Sequence, residues 1–292
     1  VDEIEIGVLV AVGPDGIGDG ALEAAAAEAV RLGLGIELLH VVHSLVPVVP
    51  ERLDADRQVE RALTTVGRAA LADADERLRG VVEDRVPIRA EIVFGPVPRT
   101  IVEHGNRARV ILLEVRDAGP VERLVTRSIS SAVAAHAEVP VMVVPPSWTV
   151  RVADDLPVTV GLESAADAQE EVPPALDVAR ATGRPLVVLH AAWLAEPYQA
   201  VAFTSYPRQQ WLEDVRQELG TALAELDTDV DLTLDVRWAR PVEGLVKATQ
   251  RSSVLVLSRR RAKHPLAAHL GPITRGVLHH AECPVLVVDR AH

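Results

Sequence analysis

Short runs of consecutive apolar residues alternate along this chain with longer stretches in which apolar positions recur every three or four residues. In the first half the runs fall near Ile4–Val12, Ile36–Val42, Ile88–Phe94, Val110–Val115 and Pro140–Val144. In the second half they fall near Pro157–Leu162, Leu186–Ala192, Leu232–Trp238, Val254–Ser258 and Pro284–Val288. Brief runs that are apolar throughout predict strands covered on both faces, as in a parallel sheet. The stretches between them carry helical spacing, as in Trp211, Val215, Leu219, Leu223 and Leu226. Glu51–Gly80 interleaves Arg with Asp and Glu and reads as a solvated helix with many ion pairs. Strands alternating with helices predict an α/β fold, a doubly wound sheet with right-handed crossovers.

The pattern occurs twice. Gly33 and His40 of the first half recur as Gly183 and His190, both 150 positions on. Pro140 recurs as Pro284, only 144 positions on, so the second copy lacks about six residues. The expected place for the loss is the connection after the second strand. Two domains follow, 1–147 and 155–292, each with five strands. Pro145, Pro146 and the Asp154-Asp155 pair mark the linker between them. The length of 292 residues agrees with two domains of about 150 each.

Composition narrows the function. Asp and Glu outnumber Lys and Arg by 42 to 30, a net charge of −12, which repels nucleic acid and anionic membrane surfaces. Aromatics are 3% of the chain, too few for the stacking platforms of single-strand binders. No apolar run approaches the ~18 residues of a membrane helix, and Val1 to Val12 is too acidic and short for a signal peptide. A single cysteine, Cys283, leaves no internal disulfide and no zinc spacing. The expectation is a cytoplasmic protein with no nucleic-acid or membrane partner.

The segment Gly271 to Val288 (GPITRGVLHHAECPVLVV) closely resembles the C-terminal signature of universal stress proteins, and Leu186 to His190 (LVVLH) resembles their second strand. The first copy shows the same frame in Leu38-Leu39-His40 and in Ser128 to Pro140. The resemblance covers both copies. It implies an adenine nucleotide alpha-hydrolase-like fold, two doubly wound five-stranded parallel-sheet domains paired through their last strands, here Val141–Val144 and Val285–Val288. This intramolecular pseudo-dimer would be open to further homodimerisation.

In ATP-binding members of the family an acidic residue closes the first strand. A Gly-x2-Gly-x9-Gly-Ser/Thr loop after the fourth strand brings backbone N–H groups to the phosphates. In the first copy these positions fall on Gly13, Glu114, Asp117, Arg127 and Ser128, with Val41 at the position of the adenine contact. Carboxylates stand there where phosphates would lie. At about 4 Å and an effective dielectric near 20, each such contact opposes binding by about 4 kcal/mol. Asp15 is the nearest replacement for the missing acid.

In the second copy the positions fall on Glu163, Ser258, Arg261, Gly271 and Pro272, with Ala191 at the adenine contact and Thr274 close by. Glu163 keeps an acid for the ribose. Pro272 suits the first turn of a helix but has no N–H to give a phosphate. The basic run Arg259-Arg260-Arg261-Ala262-Lys263 points either to an anion or to a solvated loop.

Other candidates have plain structural readings. His279 and His280 are adjacent, about 100° apart on a helix, and do not make a two-ligand metal face. Asp154-Asp155 and Glu170-Glu171 read as linker and helix N-terminal charge. Cys283 at the start of an apolar strand reads as a buried hydrophobe. No nucleophile elbow, P-loop or HExxH is present. The resemblance therefore implies a stress-response regulator with at most one adenine-nucleotide site, for ATP or AMP with magnesium, in the second domain. The alternative is an interaction scaffold for a protein partner with both sites degenerate. A slow ATPase lacks a visible catalytic base.

Overall fold

The computed structural model describes residues 5–43, 53–83, 85–115, 129–150, 156–259 and 270–290. These residues form two compact units that divide after Val150.

The first unit runs β1 (Ile6–Ala11), α1 (Asp19–Leu32), β2 (Gly35–Val42), α2 (Leu53–Val82), β3 (Ile88–Phe94), α3 (Val97–Gly105), β4 (Val110–Glu114), α4 (129–136) and β5 (Val141–Val144). Its strands are parallel and ordered β3-β2-β1-β4-β5. The central strand β1 is covered on both faces, with Val8, Leu9 and Val10 fully enclosed. That explains why it reads as an unbroken apolar run. On α1 the enclosed face is Ala21, Ala25 and Ala29. Gly20 sits on the same helix beneath Trp148, whose carbonyl oxygen lies 2.0 Å from where a Cβ would be. The start of the interdomain stretch is thus fastened to the first unit, and Val150 N–H donates to Glu23 at 3.2 Å.

The second unit runs β6 (Val158–Gly161), a 3-10 turn (Ala165–Asp167) continued by α5 (Ala168–Glu171), then α6 (Pro173–Thr182), β7 (Leu186–Ala192), α7 (Glu196–Ser205) and α8 (Arg208–Ala224). It closes with β8 (Leu232–Trp238), α9 (Pro241–Thr249), β9 (Val254–Arg259), α10 (Pro272–His280) and β10 (Val285–Asp289). The order is β10-β9-β6-β7-β8, again parallel.

The duplication is visible in detail. Gly33 and Gly183 both end a helix with φ of 66° and 65°. In both, the following residue's N–H reaches back to a carbonyl five residues earlier, Leu34 to Ala29 at 3.2 Å and Arg184 to Ala179 at 3.0 Å. The left-handed conformation explains why glycine stands at both places. β7 ends where the 150-residue offset requires, and β8 starts 144 positions after β3, so the missing residues lie between β7 and β8. There the single helix α2 is replaced by two, broken at Pro207, which has no N–H to extend a helix from Ser205. The expected helical row ends sooner than its spacing suggests. Leu219 and Leu223 are buried on α8, but Leu226 lies beyond its last residue.

Among the described residues no helix is long and apolar enough to cross a membrane.

Candidate functional site

In each unit the strand order turns back beside the first strand, between β1 and β4 and between β6 and β9. A crevice at the carboxyl ends of these strands is where open α/β sheets bind ligands. The residues that close these strands therefore decide what each unit can hold.

In the second unit Glu163 lies just past β6, as its position in the sequence predicts. Its surroundings centre on Arg290, just past β10. The guanidinium meets Glu163 Oε2 at 3.3 Å, Asp167 Oδ1 at 2.5 Å, Glu170 Oε2 at 3.5 Å and Glu171 Oε1 at 2.5 Å. Glu171 is buried, and its second oxygen accepts the backbone N–H of Glu163 at 2.9 Å. Burial is the main cause that raises the Glu171 pKa above its ordinary 4.5, while the Glu163 N–H and Arg290 pull it down and Asp167 and Glu163 push it up. Carboxylate oxygens of Glu163, Asp167 and Glu171 lie within 4.8 Å of one another. They tolerate that crowding because Arg290 supplies the cation.

Four carboxylates around one guanidinium leave the cluster net negative. Glu170 and Glu171 lie in the first turn of α5, as the sequence predicts, and Glu171 also turns inward to Arg290. Arg290 itself is absent from the sequence-derived site. Nothing local marks it, since its partners are 119 to 127 positions away in sequence. The only hint is that the aligned residue of the first copy is Pro146.

The loop side of the same crevice is partly described. Ser258 is on β9 opposite Val288, and its hydroxyl oxygen is buried without a hydrogen-bond partner among the described residues. Arg259, read as part of a basic loop, is in fact the last residue of β9. It is buried and donates through Nε to Asp289 Oδ1 at 2.6 Å. The strand register sets Arg259 directly beside Asp289, so its charge is neutralised within the sheet. Gly271 is the N-cap of α10, Pro272 its first residue, and Thr274 is buried in its first turn. Arg261 lies outside the described residues. Ala191 is in β7 opposite Arg237.

In the first unit the strand ends are arranged differently. Glu114, the last residue of β4, accepts the backbone N–H of Gly18 on both oxygens, at 3.1 and 3.0 Å. Gly18 is the N-cap of α1, so this carboxylate stands at the positive end of the helix dipole. A Cβ on residue 18 would lie 2.2 Å from Glu114 Oε1, so a larger residue there would push the carboxylate aside. Gly13 makes an antiparallel bridge with Gly16, whose φ is 91°, and Asp15 is exposed on the tight turn between them. Val41 pairs with Val93 in the sheet. Asp117, Arg127 and Ser128 lie outside the described residues.

The two second-strand histidines have matching structural roles. His40 Nδ1 lies 2.8 Å from the carbonyl oxygen of Val12, and His190 Nδ1 lies 3.0 Å from that of Leu162. Each ties the end of the second strand to the exit of the first. Close to Ala191 four of the eight aromatics gather. The Trp193 and Trp238 ring centroids are 5.3 Å apart, Phe203 and Trp211 pack edge-on against Trp238, and the Arg240 guanidinium covers Trp193 at 5.3 Å.

The sequence profile of the Universal stress protein family matches residues 7–145 and 157–289. A universal stress protein of Mycobacterium tuberculosis is 27% identical over 288 residues, covering 94% of this chain and 95% of the relative. One from Mycolicibacterium smegmatis is 25% identical over 293 residues, covering 97% of each. The crystal structure of a universal stress protein from Archaeoglobus fulgidus has the same fold, with a TM-score of 0.60 at 15% identity, covering 97% of this chain and 96% of that one.

Proposed function

The chain belongs to the universal stress protein family, and on that premise we propose that it is a cytoplasmic stress-response regulator that works through protein contacts, its nucleotide crevices closed by its own carboxylates. The observation that carries this reading is the cluster of Glu163, Asp167, Glu170 and Glu171 around Arg290. A polyphosphate brought to the crevice meets a net negative charge and must compete with those carboxylates for the one guanidinium. Pro272 removes an N–H from the helix start where a phosphate would be held. In the first domain Glu114 already takes the Gly18 N–H that an anion would use. These features oppose ATP in the described part of each crevice.

A second reading is an adenine nucleotide, ATP or AMP, held in the second domain alone. It is favoured by Glu163, whose side chain is 54% exposed and only 3.3 Å from Arg290. A ribose hydroxyl can take over that contact.

Thermal melting of the full chain separates the two. Under the first reading, millimolar Mg-ATP or AMP leaves Tm where buffer leaves it. A ligand that binds only the native state raises stability by about 2.7 kcal/mol at a hundred times its Kd. A rise in Tm that grows with nucleotide concentration and vanishes in Glu163→Ala would establish the second reading.

A further inference from the structure

We propose that the first domain holds a divalent transition-metal ion, of the zinc type, on Glu37 of β2, Glu91 of β3 and His104 of α3. One carboxylate oxygen from each glutamate and one ring nitrogen of the histidine lie within 4.8 Å of one another. The three come from separate elements, which the fold brings together. Glu37 stands opposite Arg89 and Leu39 opposite Glu91 in the β2–β3 pairing, so the two glutamates are diagonal neighbours on one sheet face. His104, in the last turn of α3, completes the group.

The state of Glu37 distinguishes this group from an ordinary acidic patch. The residue is 4% exposed, and its oxygen Oε1 is enclosed with no hydrogen-bond partner. Its other oxygen is held by Arg89 at 2.9 Å. A buried carboxylate oxygen without a donor is costly, and a bound cation removes the cost.

The donor set fits the ion class. Imidazole with carboxylates suits zinc and its neighbours, whereas calcium and magnesium take oxygen alone. Donors at about 2.1 Å from a tetrahedral zinc stand roughly 3.4 Å apart, so the three need close by at most about 1.4 Å. Arg89 would act from outside, fixing the Glu37 carboxylate through Oε2. Glu91 and His104 are only partly buried, so an ion can enter from solvent. Three protein ligands leave the remaining position to water.

The test is titration of cobalt(II), then zinc(II) in competition, into the full chain after chelator treatment. Wild type is expected to show visible d–d bands saturating at one equivalent and displaced by zinc. His104→Ala and Glu91→Gln each alter partly exposed side chains and should weaken binding by about tenfold or more. Circular dichroism confirms that both variants remain folded. A His279→Ala/His280→Ala double variant should leave the bands unchanged. The proposal is overturned if wild type shows no bands, if the bands survive both site variants, or if the double variant removes them. The first of these results would mean that Glu37 and Glu91 share a proton instead of an ion.

Discussion

Glu114 accepts the backbone N–H of Gly18 on both of its carboxylate oxygens, at 3.1 and 3.0 Å, across 96 positions of sequence. The last residue of β4 thereby caps the first helix of its domain. Charged acceptors at a helix N-terminus are stabilising in the absence of any ligand. Glu114→Ala is expected to lower the stability of the first domain by about 1–2 kcal/mol in urea titration. Gly18→Ala should cost a similar amount or more, because the new Cβ displaces the carboxylate. The double variant should cost little beyond Gly18→Ala alone, since both changes remove one contact. Fully additive losses would show that the contact contributes nothing.

A glycine inside a helix is usually improved by alanine, by about 1 kcal/mol. Gly67, in the middle of α2, should behave in the opposite way. A Cβ there would lie 2.3 Å from Cδ2 of the His40 ring, which is held by the Val12 carbonyl. Gly67→Ala is therefore expected to destabilise by about 1–3 kcal/mol through overpacking. Adding His40→Ala to that variant should recover part of the loss. A stabilised single variant would contradict the packing described here.

Glu171 gives the second domain a pH dependence of definite sign. Its folded pKa lies above the ordinary 4.5, chiefly through burial. The native state therefore holds this proton more tightly than the unfolded chain. The resulting stability is fully present below about pH 4.5 and is lost as pH rises through the folded value. Glu171→Gln keeps an acceptor for the Glu163 N–H and removes the titration. The stability of wild type relative to this variant should fall as pH rises above 4.5. Parallel curves over that range would mean that Glu171 is not buried as described.

Cys283 should be inert in the native protein. Burial pushes its thiol pKa up to about 12, and its Sγ faces the Pro284 carbonyl at 3.4 Å. Little thiolate exists at neutral pH, and the thiolate is the reactive form. A thiol reagent should modify one cysteine in denaturant and essentially none without it. Rapid native modification would reopen a redox role.

The strands were legible because β1, β4, β6 and β9 are enclosed on both faces and so read as continuous apolar runs. The paired glycines at 33 and 183 were legible because a left-handed helix end requires glycine in both copies. Glu163 and Glu114 could be placed by counting along the chain, but their partners could not. Gly18 reaches Glu114, and Arg290 reaches Glu163 and Glu171, only through strand order and register, which bring distant positions together. The inward contact of Glu171 was not legible for a local reason. A pair of glutamates near a helix start reads as dipole compensation, which their place in the first turn of α5 bears out, but nothing in the sequence says that one of them also turns inward. Arg259 looked like part of a basic loop until the pairing of β9 with β10 set it against Asp289. The cluster of Glu37, Glu91 and His104 was likewise invisible, because its members fall on three elements.

The central claim is that the chain's own carboxylates close the crevice of the second domain. Calorimetric titration of Mg-ATP into wild type and into a Glu170→Gln/Glu171→Gln/Pro272→Ser variant tests it most directly. The variant removes two of the negative charges around Arg290 and restores the missing N–H. No saturable heat is predicted for wild type at millimolar ligand, with binding near one equivalent appearing in the variant. Wild-type binding near one equivalent, with no gain in the variant, would contradict the account.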